Sequence, residues 1–118
     1  MAVGRRTQIM LLDFYGELLT DKQRECCDLH YNEDLSLSEI AEQLGISRQG
    51  VWDNIRRAES AMQDIEEKTG LIRRFEETRQ TLKKIAAQAE EIEGLTEGRP
   101  QEIARGIRRE IDRIEEWD

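Results

Sequence analysis

The side chains best suited to recognising another molecule lie at the start of one predicted helix, in the segment SRQGVWDNIRR (residues 47–57). Arg48 and Gln49 can each form two hydrogen bonds with the edge of a base. Ser47 and the helix N-terminus could hold a phosphate, and Arg56 and Arg57 could do so by charge. The candidate nucleic-acid-binding residues are Ser47, Arg48, Gln49, Trp52, Asn54, Arg56 and Arg57.

The same surface has a second interpretation, in which its charged side chains are solvated and pair with nearby glutamates. Asp53 favours this interpretation, because a carboxylate in the middle of the surface repels phosphate. Trp52 could stack on a base, although we favour packing in an interface for a single aromatic residue on a helix. Sequence-specific DNA recognition, contact with RNA and a purely protein-binding role all remain open.

These side chains are positioned by the pattern of a helix-turn-helix between Leu37 and Arg57. Ala41 is small enough to let two helices cross closely, and Gly45 can adopt the positive φ that a tight turn needs. Apolar residues then hold the second helix on the first: Ile46, Val51 and Ile55. The pattern is specific for the fold, but such a unit can also serve as a scaffold that touches no nucleic acid.

Apolar residues at helical spacing predict an all-α protein with four helices in its first half. The first helix runs from about Arg5 or Thr7 to Leu19. Thr20 caps the second helix, which ends near Asn32. The apolar stripe of the first helix consists of Leu11, Leu12, Tyr15, Leu18 and Leu19.

The third and fourth helices form the helix-turn-helix. Ser36 opens the third helix, where Glu39 completes a capping box, and its inner face consists of Leu37, Ile40, Ala41 and Leu44. Ser47 caps the fourth helix, which continues to Thr69 for about six turns before Gly70 stops it. Its apolar stripe consists of Val51, Ile55, Ala58, Met62 and Ile65.

Two further helices are predicted in the second half. One spans Leu71 to about Glu93, and its apolar stripe consists of Phe75, Thr78, Leu82, Ile85, Ala89 and Ile92. After a loop over residues 94–99, Pro100 suits the first turn of the other helix. That helix carries Ala104, Ile107, Ile111 and Ile114, with Trp117 near its end. Because the loop is short, we expect the two helices to pair in antiparallel fashion.

The length and composition favour a small first domain and a helical addition. The chain has 118 residues, of which 37% are apolar, and that is too few for a large core. We therefore divide it into a helix-turn-helix domain at residues 1–69 and a C-terminal helical hairpin or extension at residues 70–118. The long apolar stripes could be intramolecular core or a dimer seam. We favour a homodimer, because pairing covers apolar area that a short chain leaves exposed.

The charge balance argues against strong binding of nucleic acid by a monomer. The net charge is −8, and residues 1–69 carry 8 basic against 14 acidic residues, whereas residues 70–118 carry 10 against 12. Affinity for nucleic acid comes mostly from neutralised phosphates. A basic run at Arg73, Arg74, Arg79, Lys83 and Lys84 could contact RNA, but ion pairs with Glu76 and Glu77 are the favoured interpretation.

Nothing in the sequence indicates an enzyme, a metal site or a cofactor. Glycine-rich phosphate loops and nucleophile motifs do not occur, so we predict no catalytic residues. His30 lies four residues after Cys26, but two ligands do not make a metal site. Cys26 and Cys27 are interpreted as small buried residues in a reducing cytoplasm. No apolar run reaches the length of a membrane span, so insertion into a membrane is not expected.

A family resemblance becomes visible at this point. The run from Leu18 to Glu59 resembles the promoter-recognising C-terminal domain of bacterial sigma factors, and with the preceding DFYGELL it looks more like the YlxM family. The resemblance covers roughly residues 7–70 and is carried by TDKQ (20–23), SLSEIAE (36–42) and SRQGVWDNIRR (47–57). Gly50 stands where we expect alanine, which lowers helix propensity by roughly 1 kcal/mol.

This resemblance implies a pathway that the residues alone do not. YlxM proteins are small helix-turn-helix proteins encoded beside the genes of the bacterial signal recognition particle, and they are considered regulators of that pathway or DNA-binding proteins. The resemblance therefore implies a cytoplasmic regulatory protein whose partners are DNA, signal recognition particle RNA or the particle's proteins. The alternative is a DNA-binding transcriptional regulator that uses Arg48, Gln49 and their neighbours.

Overall fold

The computed structural model describes residues 4–115 and is all-α within that range, without a strand. The α-helices are α1 (Arg5–Tyr15), α2 (Asp21–Cys27), α3 (Leu37–Leu44), α4 (Arg48–Thr69), α5 (Leu71–Leu95) and α6 (Arg99–Glu115). A 3-10 helix (Gly16–Leu18) follows α1, and a π-helix (Asp28–Asn32) continues α2. Trp117, predicted near the end of the last helix, lies outside the described residues. The chain divides into two compact units, Met1–Ile72 and Arg73–Asp118.

The end of the first helix differs from the prediction. The α-helix stops at Tyr15 and continues as a 3-10 helix, which has fewer residues per turn. The change of phase rotates Leu18 away from the core, so that it is 69% exposed. The placement of Leu18 in the apolar stripe was therefore wrong, whereas Leu11, Leu12 and Tyr15 are buried as expected.

The second helix begins and ends where the sequence indicated. Thr20 accepts a hydrogen bond from the Gln23 backbone amide, and the Gln23 side chain accepts one from the Thr20 amide, both at 3.2 Å. This reciprocal capping box fixes the start of α2. The last turn, ending at Asn32, is π-helical, with the Glu33 amide donating to the Asp28 carbonyl at 3.1 Å.

One hydrophobic core occupies the first unit. Its fully buried side chains come from every α-helix between α1 and α4: Leu11, Cys26, Cys27, Ile40, Val51, Ile55, Ala58 and Met62. Burial of apolar surface is the main source of stability for such a unit. The predicted stripe of α4 is thus confirmed at four positions, and the fifth, Ile65, packs against the same core while partly exposed.

Two tyrosines tie the long α4 to the first two helices. The Tyr15 hydroxyl donates to Glu66 Oε1 at 2.6 Å and lies 3.0 Å from the Thr69 hydroxyl. The Tyr31 hydroxyl donates to Glu59. Burial and these carboxylates raise the pKa of both tyrosines. Periodicity alone could not reveal these bonds, since they join residues far apart in the chain.

The second unit is a helical pair with little buried surface. Its described buried side chains are Ala89, Ala104 and Ile111. Glu93 near the end of α5 pairs with Arg105 at 3.4 Å and with Arg108 at 2.6 Å, both on α6. The link between the helices is shorter than predicted, because α5 continues through Gly94 to Leu95. Pro100 lies in the first turn of α6, as its fixed φ favours.

Candidate nucleic-acid interface on the helix-turn-helix

The third helix is fixed at both ends by the residues predicted to do so. Ser36 Oγ accepts from the Glu39 amide and the Glu39 carboxylate accepts from the Ser36 amide, both at 3.1 Å. These bonds hold the pKa of Glu39 below its usual value, because they favour the ionised form. Gly45 ends α3 with φ 69°, in the left-handed region that favours glycine. The capping box and the glycine stop are therefore confirmed.

The turn places α4 on α3 through apolar contacts. Ile40, Val51 and Ile55 are no more than 1% exposed, and Ala41 is 9% exposed. The Ile46 amide donates to the Ala41 carbonyl at 3.1 Å, which returns the chain across the end of α3. The helix-turn-helix is thus present where predicted. The buried side chains of α4 lie on one side of that helix, and the opposite side is exposed to solvent.

The N-terminus of α4 is capped by Ser47. Its Oγ accepts a hydrogen bond from the Gly50 amide at 2.9 Å, which leaves the hydroxyl proton able to donate to an incoming oxygen. A Cβ added at Gly50 would lie 3.2 Å from that Oγ and 3.8 Å from Ile46 Cδ1. An alanine at this position would therefore require the Ser47 hydroxyl to shift by a few tenths of an ångström.

The outer side of α4 presents most of the predicted binding residues to solvent. Arg48, Gln49, Arg56 and Arg57 are exposed. Trp52 is 42% exposed and lies outside the core, with the guanidinium of Arg56 5.7 Å from its ring centroid. This distance is that of a cation–π contact. Trp52 and Arg56 therefore form one amphipathic surface that offers both a flat ring and a positive charge.

Asp53 lies within this surface and occupies one of its donors. Gln49 Nε2 donates to Asp53 Oδ1 at 3.0 Å. This bond uses one of the two Nε2 protons, so the other proton and Oε1 are still available to an adenine edge. This bond joins residues four positions apart on one helix, so the sequence spacing alone could have predicted it.

Asn54 is the predicted binding residue whose position differs most from the others. It is half-buried, and its Nδ2 donates to the Gly50 carbonyl at 2.8 Å. The remaining binding residues are exposed on α4 or cap its start. The side chain of Asn54 therefore serves the local helix geometry in this structure.

Acidic residues line a separate groove on the first two helices. The groove has a volume of about 610 Å³ and is bordered by α1, the 3-10 helix, α2 and the π-helix. Five carboxylates line it, at Asp13, Glu17, Asp21, Glu25 and Asp28. Much of the negative charge of the first unit is therefore located on this groove, whereas the outer side of α4 carries Arg48, Arg56 and Arg57 around Asp53.

The two cysteines and the histidine have structural surroundings. Cys26 and Cys27 are free thiols that are buried completely. Burial, with a smaller contribution from the carboxylate of Glu59, raises the pKa of Cys27 to about 12. His30 Nδ1 lies 3.0 Å from the Leu35 carbonyl. Between residues 4 and 115, no group of three or more His, Cys, Asp or Glu side chains could hold a metal ion.

Comparison with known proteins identifies the family. Residues 3–99 match the family model of YlxM/p13-like helix-turn-helix proteins, UPF0122. This chain belongs to the UPF0122 family. The family is described by its helix-turn-helix and not by an enzymatic activity.

Several UPF0122 proteins are similar over much of their length. One from Acetivibrio thermocellus is 44% identical over 107 residues, which cover 91% of this chain and 90% of that protein. One from Thermoanaerobacter sp. (strain X514) is 55% identical over 76 residues, or 64% of this chain and 65% of that protein. One from Bacillus pumilus is 45% identical over 93 residues, covering 74% and 84%. The chain thus spans slightly less than two thirds of the Thermoanaerobacter protein.

The UPF0122 match extends beyond the helix-turn-helix. It ends at residue 99, so that it includes all of α5 (Leu71–Leu95). The resemblance noted in the sequence ended near residue 70, because only the general helical character of the second half could be recognised without an alignment. None of the helices in residues 4–115 is long and apolar enough to cross a membrane.

Proposed function

We propose that this UPF0122 protein is a regulatory protein of the signal recognition particle pathway that binds nucleic acid or the particle's proteins through its helix-turn-helix. The observation that carries the proposal is the outer side of α4, where Arg48, Trp52 and Arg56 are exposed beside the Ser47 cap. In helix-turn-helix proteins, this part of the second helix contacts nucleic acid. The pathway is proposed from the resemblance to the YlxM family.

The chemistry of this surface favours RNA of the particle as the first ligand to test. Trp52 and Arg56 together can stack on an unpaired base and contact its phosphate. Single-stranded loops offer such bases, whereas bases inside a duplex are already stacked. Arg48 adds a second exposed guanidinium one helical turn before Trp52, which can contact a neighbouring phosphate.

The proposal is tested by measuring binding of fluorescent signal recognition particle RNA, a scrambled RNA of equal length and random-sequence duplex DNA at two salt concentrations. We expect particle RNA to bind most tightly, with Arg56→Ala weakening binding and lowering the slope of log affinity against log salt by about one. Lys68→Ala is the matched control, since Lys68 is an exposed cation on the same helix paired with Asp64 at 2.8 Å.

Trp52→Ala separates base stacking from charge in the same assay. Loss of one stacked base corresponds to about 1–3 kcal/mol, without a change in the salt slope. Pull-downs with the particle's protein and its receptor cover the protein-binding form of the proposal. Absence of binding to RNA, particle protein and receptor would contradict the proposal in all its forms.

A DNA-binding transcriptional regulator is the second candidate function. The observation that favours it is the placement of Arg48 and Gln49 at the start of α4, as in the promoter-recognising domain of sigma factors that the sequence resembles. Selection from a random-sequence DNA library should then enrich one motif. Asp53→Ala should strengthen its binding, since this change removes the acceptor for Gln49 and a negative charge. Binding that prefers RNA and is unchanged by Arg48→Ala and Gln49→Ala would exclude this candidate.

Three further properties complete the proposal. The protein acts in the cytoplasm, without catalysis, and as a homodimer. Cytoplasmic action is supported by two buried free cysteines, since such thiols persist in reducing compartments. The homodimer is supported by apolar side chains left exposed in the second unit, at Ile85, Ile92, Ile107 and Ile114.

A further inference from the structure

Each helix of the second unit carries one buried and one exposed apolar row at heptad spacing. On α5, Ala89 is buried whereas Ile85 and Ile92 are exposed. On α6, Ala104 and Ile111 are buried, whereas two isoleucines at the same spacing are exposed, Ile107 and Ile114. The four exposed isoleucines, here called the isoleucine face, are between 39% and 51% exposed. A seven-residue spacing of this kind is typical of helices that pack along each other.

In an antiparallel helical pair, the two exposed rows lie on the same side. On both helices an exposed isoleucine precedes a buried residue by four positions, as Ile85 precedes Ala89 and Ile107 precedes Ile111. Glu93 near the end of α5 pairs with Arg105 and Arg108 of α6 across a short link, and two antiparallel helices joined in this way are related by an approximate two-fold axis. Equal displacements around each helix therefore bring both rows to one side.

We propose that the isoleucine face is the homodimer interface, where the α5–α6 pairs of two copies of this chain combine into a four-helix bundle. This inference rests on the homodimer in the proposed function and identifies the surface through which the two copies associate. Two antiparallel helices form half of such a bundle, and facing apolar rows at heptad spacing supply its core. A two-fold axis brings the same face of both copies together.

The exposed area supports this choice of partner. The isoleucine face with neighbouring Ile103 and Leu95, which are 49% and 76% exposed, amounts to roughly 500 Å² of apolar surface, at the upper end for a patch on a monomer. Stable interfaces bury about 800 Å² per partner, of which this apolar face would supply the central part. The unit's own buried side chains, Ala89, Ala104 and Ile111, form too small a core to stabilise a helical pair alone.

The charge of the second unit also favours a second copy. Residues 73–118 carry 10 basic and 12 acidic residues, so two such units repel each other only weakly. A nearly neutral surface does not attract RNA, whose binding requires neutralised phosphates. A self-complementary apolar face is thus better suited to another copy of this chain than to nucleic acid.

The test is the mass of the full chain in solution without nucleic acid, measured by light scattering and sedimentation over a range of concentrations. We expect twice the 13.8 kDa of one chain. Ile92→Glu and Ile107→Glu should each raise the dissociation constant at least tenfold, because a carboxylate is then placed in the seam. Ala87→Glu, at an exposed position on another side of α5, is the matched control and should leave the dimer intact.

Circular dichroism and thermal melting of the same variants show whether a variant that has the mass of a single chain is still folded. A single-chain mass for the unmodified protein at high concentration would overturn the proposal, as would equal effects of Ile92→Glu and Ala87→Glu. A monomer that loses binding to a particle protein through Ile107→Glu would show that a different partner covers this face. Failure of an intact dimer to bind RNA, particle protein and receptor would contradict only the proposed function.

Discussion

The two units of this chain use similar helices in different ways. In the first unit, residues from α1 to α4 share one core, and seven large side chains are less than 2% exposed. In the second unit, α5 and α6 are longer than most of those helices, but isoleucines on both remain exposed. The comparison shows that helical length and periodicity do not by themselves provide a core, because a stripe is buried only when enough other helices surround it.

The units also differ in their polar bonds. In the first, buried tyrosine hydroxyls donate to Glu59 and Glu66 from elements more than twenty residues away. In the second, Glu93 accepts from arginines that are about half exposed. Hydrogen bonds to charged groups are stronger where water is excluded. We therefore expect the first unit to determine the stability of the chain and the second to depend on what it binds.

Truncation of core side chains gives the largest expected difference between the units. Ile55→Ala, at a side chain that is 1% exposed in the shared core, should lower the free energy of unfolding by about 4 kcal/mol. Ile111→Ala should cost less than half of that, because Ile111 lies outside the large cluster. Urea denaturation of both variants measures the difference, and equal losses would contradict it.

Alkaline pH should destabilise the first unit alone, since it holds both cysteines and both tyrosines. The pKa of Cys27 rises from 9.0 in the unfolded chain to about 12 in the folded one. Its contribution is therefore complete below pH 9 and decreases as the pH rises towards 12. Between pH 9 and about 10.5 this loss amounts to about 2 kcal/mol.

Cys27→Ala is the control for this pH dependence. The variant should show a slope of unfolding free energy against pH that is smaller by about one proton in this range. Denaturant titrations at several pH values measure the slope. A slope unchanged by the substitution would mean that the buried thiol does not resist ionisation.

Loss of a polar bond should also affect the units unequally. Tyr31→Phe removes the hydroxyl that donates to Glu59 and should lower the free energy of unfolding by about 2 kcal/mol. Glu93→Gln, which weakens the exposed pairs with Arg105 and Arg108, should cost less than about 1 kcal/mol. The two variants are compared by thermal and chemical denaturation. A larger loss of unfolding free energy for Glu93→Gln than for Tyr31→Phe would contradict the expected difference between the units.

A small effect is also expected at a helix cap. Ser36→Ala removes the acceptor for the Glu39 amide at 3.1 Å and should lower the free energy of unfolding by about 1 kcal/mol. Ser36→Asp retains an acceptor at this position and should restore most of the loss. If the two substitutions cost the same, the capping box would not stabilise α3.

Local signals in the sequence were sufficient for much of the helix-turn-helix. The caps at Thr20, Ser36 and Ser47, and the stops at Gly45 and Gly70, lie where predicted. These signals act over three or four residues, so a single sequence contains them completely. The exposure of Arg48 and Gln49 follows from the same phase of α4, and their role in binding is part of the proposal.

Other features required the whole fold. The π-helix at Asp28–Asn32 and the 3-10 helix that exposes Leu18 arise where α2 and α1 adapt to their neighbours. Likewise, the half-buried state of Asn54 depends on a rotamer that packing selects. No window of sequence shows which of several allowed rotamers is adopted.

The sequence by itself determined the helices, their ends and the helix-turn-helix, because each depends on neighbouring residues and on the period of the apolar pattern. Only the tertiary structure decided which apolar stripes are buried. Val51 and Ile85 lie on stripes of similar spacing, yet Val51 is covered completely and Ile85 is 39% exposed. The physical reason is that burial depends on how many other helices reach a surface, and that number is a property of the assembled molecule.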